Sequence, residues 1–304
     1  MSFSMSTLAR FTRCAALALL AAALLAGPAL ARDDDAPLPG EQKTLLDAAL
    51  NRLPAQRPGV TDMYVLGVAG DASEDVFRNE VTYLQQLSAQ RWNAAGRMVS
   101  LINQPDNRNG HDATPQATIE NLRYTLDALG QKLDPRQDVL FLYMSSHGTH
   151  ESDFYLQTGD GQEQFLGAET LKRMLDEAGI GNAVVVVSAC YSGRFVSELK
   201  AANHMVISAA RKDRPSFGCG NTDTATWFGR AFLVEALNAT NDFSQAFTQA
   251  SATVRERERE EQEQPSQPQF YAGADIVPIL AQWRARLPAS QPVPYPFTHV
   301  RQRP

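Results

Sequence analysis

Short apolar strands alternating with helical segments predict an α/β protein, a three-layer α/β/α sandwich with a mostly parallel sheet. Three observations carry that reading. The run Val139-Leu140-Phe141-Leu142-Tyr143-Met144 and the run Val184-Val185-Val186-Val187 are apolar on both faces and rich in β-branched or aromatic residues, as strands buried from both sides must be. Each ends at a glycine-marked turn, Ser145-Ser146-His147-Gly148 and Ser188-Ala189-Cys190-Tyr191-Ser192-Gly193. Helical spacing fills the segments between the strands, and parallel neighbours need such crossovers.

Taken in order, residues 1–31 read as a secretory signal peptide. Arg10 and Arg13 precede a short apolar run over 15–26, and Ala29-Leu30-Ala31 offers small residues for cleavage after Ala31. A membrane anchor needs ~20 apolar residues, more than this run supplies. Cys14 stands at the start of the run, where a lipoprotein signal does not put its cysteine. Export to a periplasm or the medium is the expectation. Residues 32–58, rich in Asp and Pro with one helical stretch over 42–53, read as a flexible leader or N-terminal arm. The main domain is expected over 59–287, opening on the strand Met63-Tyr64-Val65-Leu66-Gly67-Val68-Ala69-Gly70. Helical spacing follows over 74–90, with Val76, Val81, Leu84 and Leu87 on the apolar side, then a shorter strand over 97–102.

A helix is expected over 114–129, with Pro115 in its first turn and Gly130 closing it. The histidine strand comes next, then a hairpin of Phe154-Tyr155-Leu156 and Gln164-Phe165-Leu166 turning through Gly159-Asp160-Gly161. A helix over 168–178 stops at Gly179; the cysteine strand leads to a helix over 192–200 and a strand over 204–210. Helices over 227–237 and 243–263 precede a last strand, 269–273. Alternating charges over 255–263 read as a solvated, ion-paired face. Residues 288–304 form a Pro-rich, extended C-terminal tail.

The formal net charge of the chain is −6, and loss of the two signal arginines makes it −8. A mildly acidic chain of this kind does not suit nucleic acid or an anionic membrane as its main partner. Two cysteines remain after the signal, Cys190 and Cys219, and an oxidising compartment allows a disulfide between them that would silence either thiol.

Open α/β sheets bind ligands outside the carboxyl ends of their strands. Two such ends deliver His147 and Cys190 to one edge, the materials of a thiol–imidazole pair. Gly148 offers an unhindered N–H, the Cys190 N–H at a strand-to-helix turn is a second oxyanion donor, and the helix that follows favours thiolate over thiol. A lone cysteine is commonly a packed core residue; its place at a strand end before Ser-Gly distinguishes this one. His147, His150 and Glu151 lack the spacing of a helical zinc motif, Ser192 lacks the serine-hydrolase elbow, and no phosphate-binding loop follows the first strand. No metal and no cofactor are expected.

Ser146-His147-Gly148 and Ser188-Ala189-Cys190-Tyr191-Ser192-Gly193 resemble the paired motifs of the legumain-like cysteine peptidases of family C13, which share the caspase fold and include the catalytic subunit of the GPI-anchor transamidase. The likeness extends to Tyr64-Val65-Leu66-Gly67-Val68-Ala69-Gly70, to Ile207-Ser208-Ala209-Ala210, to Thr226-Trp227-Phe228-Gly229 and to Pro268-Gln269-Phe270-Tyr271, over residues 60–275. It implies His147 as base, Cys190 as nucleophile and the Gly148 and Cys190 amides as oxyanion donors. It also implies a specificity pocket around Arg78, Ser188, Ser208 and Ala209, with Asp213, Ser216 and Arg230 nearby.

The chain departs from the family pattern at three places. Ser188 stands where a glutamate is usual, Arg230 where an acidic residue is expected, and the asparagine that often orients the histidine falls near Val76. Asparagine preference does not transfer. Arg78 with Arg211 or Arg230 would draw an acidic substrate side chain, which Asp213 or Ser216 would reverse. The expectation is an exported cysteine endopeptidase acting on peptide or protein substrates, with transpeptidation if an amine reaches the acyl-enzyme before water. The alternative is a catalytically inactive peptide-binding protein on the same fold.

Overall fold

The computed structural model describes residues 38–104, 113–220 and 223–298. The expected signal peptide, residues 1–31, lies outside the described residues. Helix α1 (Gly40–Asn51) precedes strand β1 (Met63–Ala69), followed by α2 (Asp75–Arg91), β2 (Met98–Ile102), α3 (Ile119–Gly130) and β3 (Val139–Ser145). A two-stranded hairpin, β4 (Phe154–Gln157) and β5 (Glu163–Leu166), leads to α4 (Ala168–Glu177), β6 (Ala183–Ser188), α5 (Gly193–Glu198) and β7 (His204–Ser208). Helix α6 spans residues 227–239, with a π-helical middle from Arg230 to Ala236; α7 (Phe243–Glu260), β8 (Gln269–Ala272) and α8 (Ile276–Ala285) complete the chain.

The six-stranded sheet runs β2-β1-β3-β6-β7-β8, parallel except for β8. Strict alternation along the central strands sorts their side chains between two cores. Val139, Phe141 and Tyr143 of β3 and Val184 and Val186 of β6 pack with α2, α6, α7 and α8. Leu140, Leu142, Met144, Val185 and Val187 pack with α1, α3, α4 and α5 on the other face. This is the expected three-layer sandwich.

The structure corrects some local expectations and refines others. Helix α3 begins at Ile119, capped by the Thr118 side chain accepting from Asn121 N, so Pro115 lies ahead of the helix. There its carbonyl accepts from Ile102 N at the end of β2 (2.8 Å). The stretch 42–53 is no flexible leader, because Leu46, Leu50 and Leu53 are buried in the second core. Asp47 accepts from Tyr124 Oη (2.5 Å) and Gln42 Oε1 from Asn121 Nδ2 (2.9 Å), which lock α1 to α3.

The C-terminal segment is extended but docked. Val293 is buried, its carbonyl accepts from Tyr83 Oη and Asn238 Nδ2 (2.9 Å each), and Tyr295 and Phe297 pack on the first core. Nor is the charged face of α7 wholly solvated: Glu258 is 2 % exposed and accepts from Ser266 N (2.9 Å). Helix α8 had no counterpart among the sequence expectations. Its Ile276, Leu280 and Trp283 fill the first core, and the short spacing of these residues beside Pro278 hid it.

Candidate active site

Strand register assembles the site. Ala69 of β1 pairs with Ser145 of β3, and Ser145 pairs with Ser188 of β6, one row across three parallel strands. Two residues beyond that row, at the carboxyl edge, come Asp71, His147 and Cys190 in turn. The turns touch. Ser146 N donates to the Ser188 carbonyl (3.2 Å), and a methyl built on Gly148 would run into the Cys190 backbone, with the carbonyl carbon at 2.9 Å and the amide nitrogen at 3.2 Å. Only a residue without Cβ lets the histidine turn come so near the cysteine turn.

His147 is half-buried between Phe77, edge-on with ring centroids 5.2 Å apart, and Tyr155 of the hairpin at 6.4 Å. Its Nε2 faces Asp71 Oδ2 at 3.8 Å, an ion-pair distance rather than a hydrogen bond. Asp71 is 3 % exposed, and its other oxygen accepts from the Ser73 N–H and hydroxyl (2.6 Å each), which fixes the carboxylate. The family's asparagine position falls near Val76, where this chain departs from the pattern; the group beside the imidazole here is an aspartate just past the end of β1. Sequence reasoning missed it, because the offset it shares with His147 and Cys190 emerges only once the strands are in register.

Cys190 is partly exposed and a free thiol, as is Cys219. Ser216 N donates to its Sγ (3.2 Å), with the Ser216 carbonyl at 3.3 Å and hydroxyl at 3.6 Å. Tyr191, next in the chain, is left-handed (φ 56°), a costly conformation for a bulky side chain, and its N–H donates to Arg214 O (2.8 Å). That turn swings the chain from β6 into α5, whose first residue is Gly193. A methyl on Gly193 would meet Lys212 N at 2.5 Å, so the loop after β7 closes directly over the cysteine turn. Burial pushes the Cys219 thiol up to about 11, and the nearness of Cys190 adds to it. His150, on the outer side, lies against Tyr191 with ring centroids 4.3 Å apart and the planes tilted by 42°.

The amides of Gly148 and Cys190 donate in no described turn or loop bond. At the hairpin bridge the bonds come from the neighbours: Thr149 N to Asp153 O and Tyr155 N to His147 O flank Gly148 and leave its N–H free of the ladder. These are the two groups that an oxyanion would need.

The pocket residues expected from sequence fall into two sets. Ser188, Ser208 and Ala209 lie in the buried floor behind the cysteine, Ser188 Oγ 3.1 Å from Thr226 Oγ1 and Ser208 Oγ donating to Ala210 O (3.0 Å). Ser216 sits on the thiol. Asp213 is held by Arg211 through two bonds, which also keep the aspartate below and the guanidinium above their ordinary values. Arg230 donates to Thr224 Oγ1 (2.6 Å) and lies over the Tyr295 ring at 4.3 Å. Arg78 pairs with Asp75 (3.2 Å) and with Gln104 (3.3 Å), beyond the end of β2, and lines a cleft between α1, α2 and β2. The described partners of the three arginines thus lie on different elements.

A partly exposed thiol and an imidazole on neighbouring strand ends, at the carboxyl edge of a parallel sheet with helices on both faces, are the parts of a cysteine-type hydrolase. The sequence profile of the Peptidase C13 family matches residues 125–276, half of the chain, and the chain belongs to that family of cysteine-type peptidases. No curated protein matches the chain. Among the described residues no helix is long and apolar enough to cross a membrane.

Proposed function

We propose that this chain is an exported cysteine endopeptidase that works through His147 and Cys190. The observation that carries the reading is the single row of Asp71, His147 and Cys190 beyond the paired residues of β1, β3 and β6. The Cys190 thiol passes its proton to His147, and the sulfur attacks the carbonyl carbon of the scissile bond. The C–S bond forms as the carbonyl π electrons move to oxygen, which the Gly148 and Cys190 amides receive. Collapse of this adduct breaks the C–N bond, and imidazolium returns the proton to the leaving amine.

Water then cleaves the thioester, giving a carboxylate and the free thiol. An amine in place of water gives a new peptide bond, which is transpeptidation. Asp71, fixed by Ser73, keeps the imidazole turned toward this cycle. Export rests on the sequence of residues 1–31 alone. The substrate is a peptide or protein. Ser188, Ser208, Ala209, Ser216, Asp213 and Arg230 remain the residues proposed to shape the pocket. Arg78 fits that role least well, because its described partners face the β2 side.

Iodoacetamide labelling of the reduced protein from pH 5 to 9 tests the reading, with peptide mapping to separate Cys190 from Cys219. An activated pair labels Cys190 well below the ~8.5 of a free thiol, and His147→Ala slows it. Slow labelling with an ordinary profile, unchanged by His147→Ala, would instead identify a peptide-binding protein that keeps the fold without turnover.

A further inference from the structure

Glu80 is a buried acid that the reaction does not use. It sits on the apolar face of α2, at 0 % exposure, and among the described residues no cation pairs with it. Its Oε2 accepts from Tyr143 Oη (2.7 Å) and Ser145 Oγ (2.5 Å); its Oε1 accepts from the N–H and the hydroxyl of Thr226 (2.7 Å each). With its proton given to Glu80, Thr226 Oγ1 accepts from Gly229 N (2.9 Å) and from Ser188 Oγ (3.1 Å). Gly229 itself is required by the acid, because a methyl there would overlap the carboxylate, with Oε2 at 2.8 Å.

Two of these partners matter for the site. Ser145 and Ser188 are paired across β3 and β6, and each stands two residues before a reactive side chain, His147 and Cys190. One carboxylate therefore holds the last paired row of both strands and ties it to the first turn of α6. Burial pushes Glu80 up, and the hydroxyl and amide donors oppose that push. An apolar side chain would fill the same space without desolvating a carboxyl group. A satisfied polar cluster instead admits one arrangement of its members.

We propose that Glu80 is a positioning residue, which fixes His147 against Cys190 by clamping Ser145 directly and Ser188 through Thr226. The inference rests on the peptidase reading above. The Ser145–Ser188 row is the last pair of the β3–β6 ladder before the two turns, so both reactive residues are built out from it. A loss of about 1 Å in that alignment costs up to ~100-fold in a positioned reaction.

The test is the Cys190 labelling rate in four reduced proteins: wild type, His147→Ala, Glu80→Gln and the double variant. Glutamine keeps the shape but offers one acceptor. Its oxygen faces the Thr226 N–H, so its NH2 donates to the Ser145 and Tyr143 hydroxyls, which must reverse to accept, and the arm toward the histidine strand is weakened. The readout is the factor by which His147 accelerates labelling, because a merely structural role changes stability and scales both backgrounds alike. In the Glu80→Gln background that factor is expected to fall about tenfold, toward one.

An unchanged factor overturns the proposal while leaving the peptidase reading intact. No acceleration by His147 in the wild-type background defeats the peptidase reading itself, and the proposal with it. If Glu80→Gln does not fold, Ser145→Ala takes its place. That variant removes one donor to the carboxylate and leaves three; the His147 factor is expected to drop roughly threefold, and no drop overturns the proposal.

Discussion

Replacing Gly148 by alanine tests the closest approach in the site. The added methyl carbon would stand 2.9 Å from the Cys190 carbonyl carbon and 3.2 Å from its nitrogen, with the carbonyl oxygen nearer still. All three are backbone atoms, so no side chain can rotate away. Ordinary contact begins at about 3.4 Å, and restoring it at the oxygen requires the two turns to separate by on the order of 1 Å. Overpacking of this kind costs about 1–3 kcal/mol in stability, and a misalignment of that size costs up to ~100-fold in a positioned reaction. The expected result is a lower urea midpoint together with Cys190 alkylation slowed between ten- and a hundredfold at pH 7. Gly40→Ala is the control, because nothing lies within 4 Å of that position. If Gly148→Ala matches the wild-type protein in both measurements, the two turns are not in contact and the geometric argument for the dyad fails.

Asp71→Ala removes the carboxylate beside His147 Nε2, and Cys190 alkylation is expected to slow roughly tenfold or more, with Asp71→Asn in between; equal rates in all three would remove Asp71 from the site. Leu46→Ala, at a fully buried position of α1, is expected to lower the unfolding free energy by ~2–5 kcal/mol in a urea titration, and a change near zero would mean a detached arm. His204 is buried with Nδ1 donating to Leu199 O (2.9 Å), and desolvation holds its pKa below the ordinary 6.5. The unfolded chain therefore binds the proton more readily, so this contribution to stability is present above pH 6.5 and lost as pH falls toward the folded value. His204→Gln is expected to flatten the stability slope just below pH 6.5, by at most ~1.4 kcal/mol per pH unit; an unchanged slope would clear His204 of that role.

The central strands and both reactive residues were legible because burial on two faces forces continuous apolar runs and because the turns after them carry glycine. Register was legible only in part. Nothing in the chain says that Ala69, Ser145 and Ser188 share a row, and without that row Asp71 is simply the residue after Gly70. Glu80 left a fainter trace, a charge set among Phe77, Val81 and Leu84 on the face of α2 that must be buried. Its partners come from β3 and from Thr226, 146 positions away, and such a cluster exists only once the sheet and α6 have met. The docked tail was hidden for a similar reason: proline-rich composition describes the backbone of residues 288–298, but not the socket that Tyr83 and Asn238 provide for Val293. Arginine placement was read least well, since a guanidinium on a long stem reaches whichever neighbour the fold supplies, and Arg78 found Asp75 and Gln104.

The lock between α1 and α3 also sets an order in time. Helix α1 is twelve residues long, short for a helix to persist by itself in water. Its anchors, Asn121 and Tyr124, follow it by 79 and 77 positions. The stretch that leaves the ribosome early must therefore wait, unstructured, until the middle of the domain has been made and folded. Helix α1, made before its anchors, is among the last elements of the domain to take its shape.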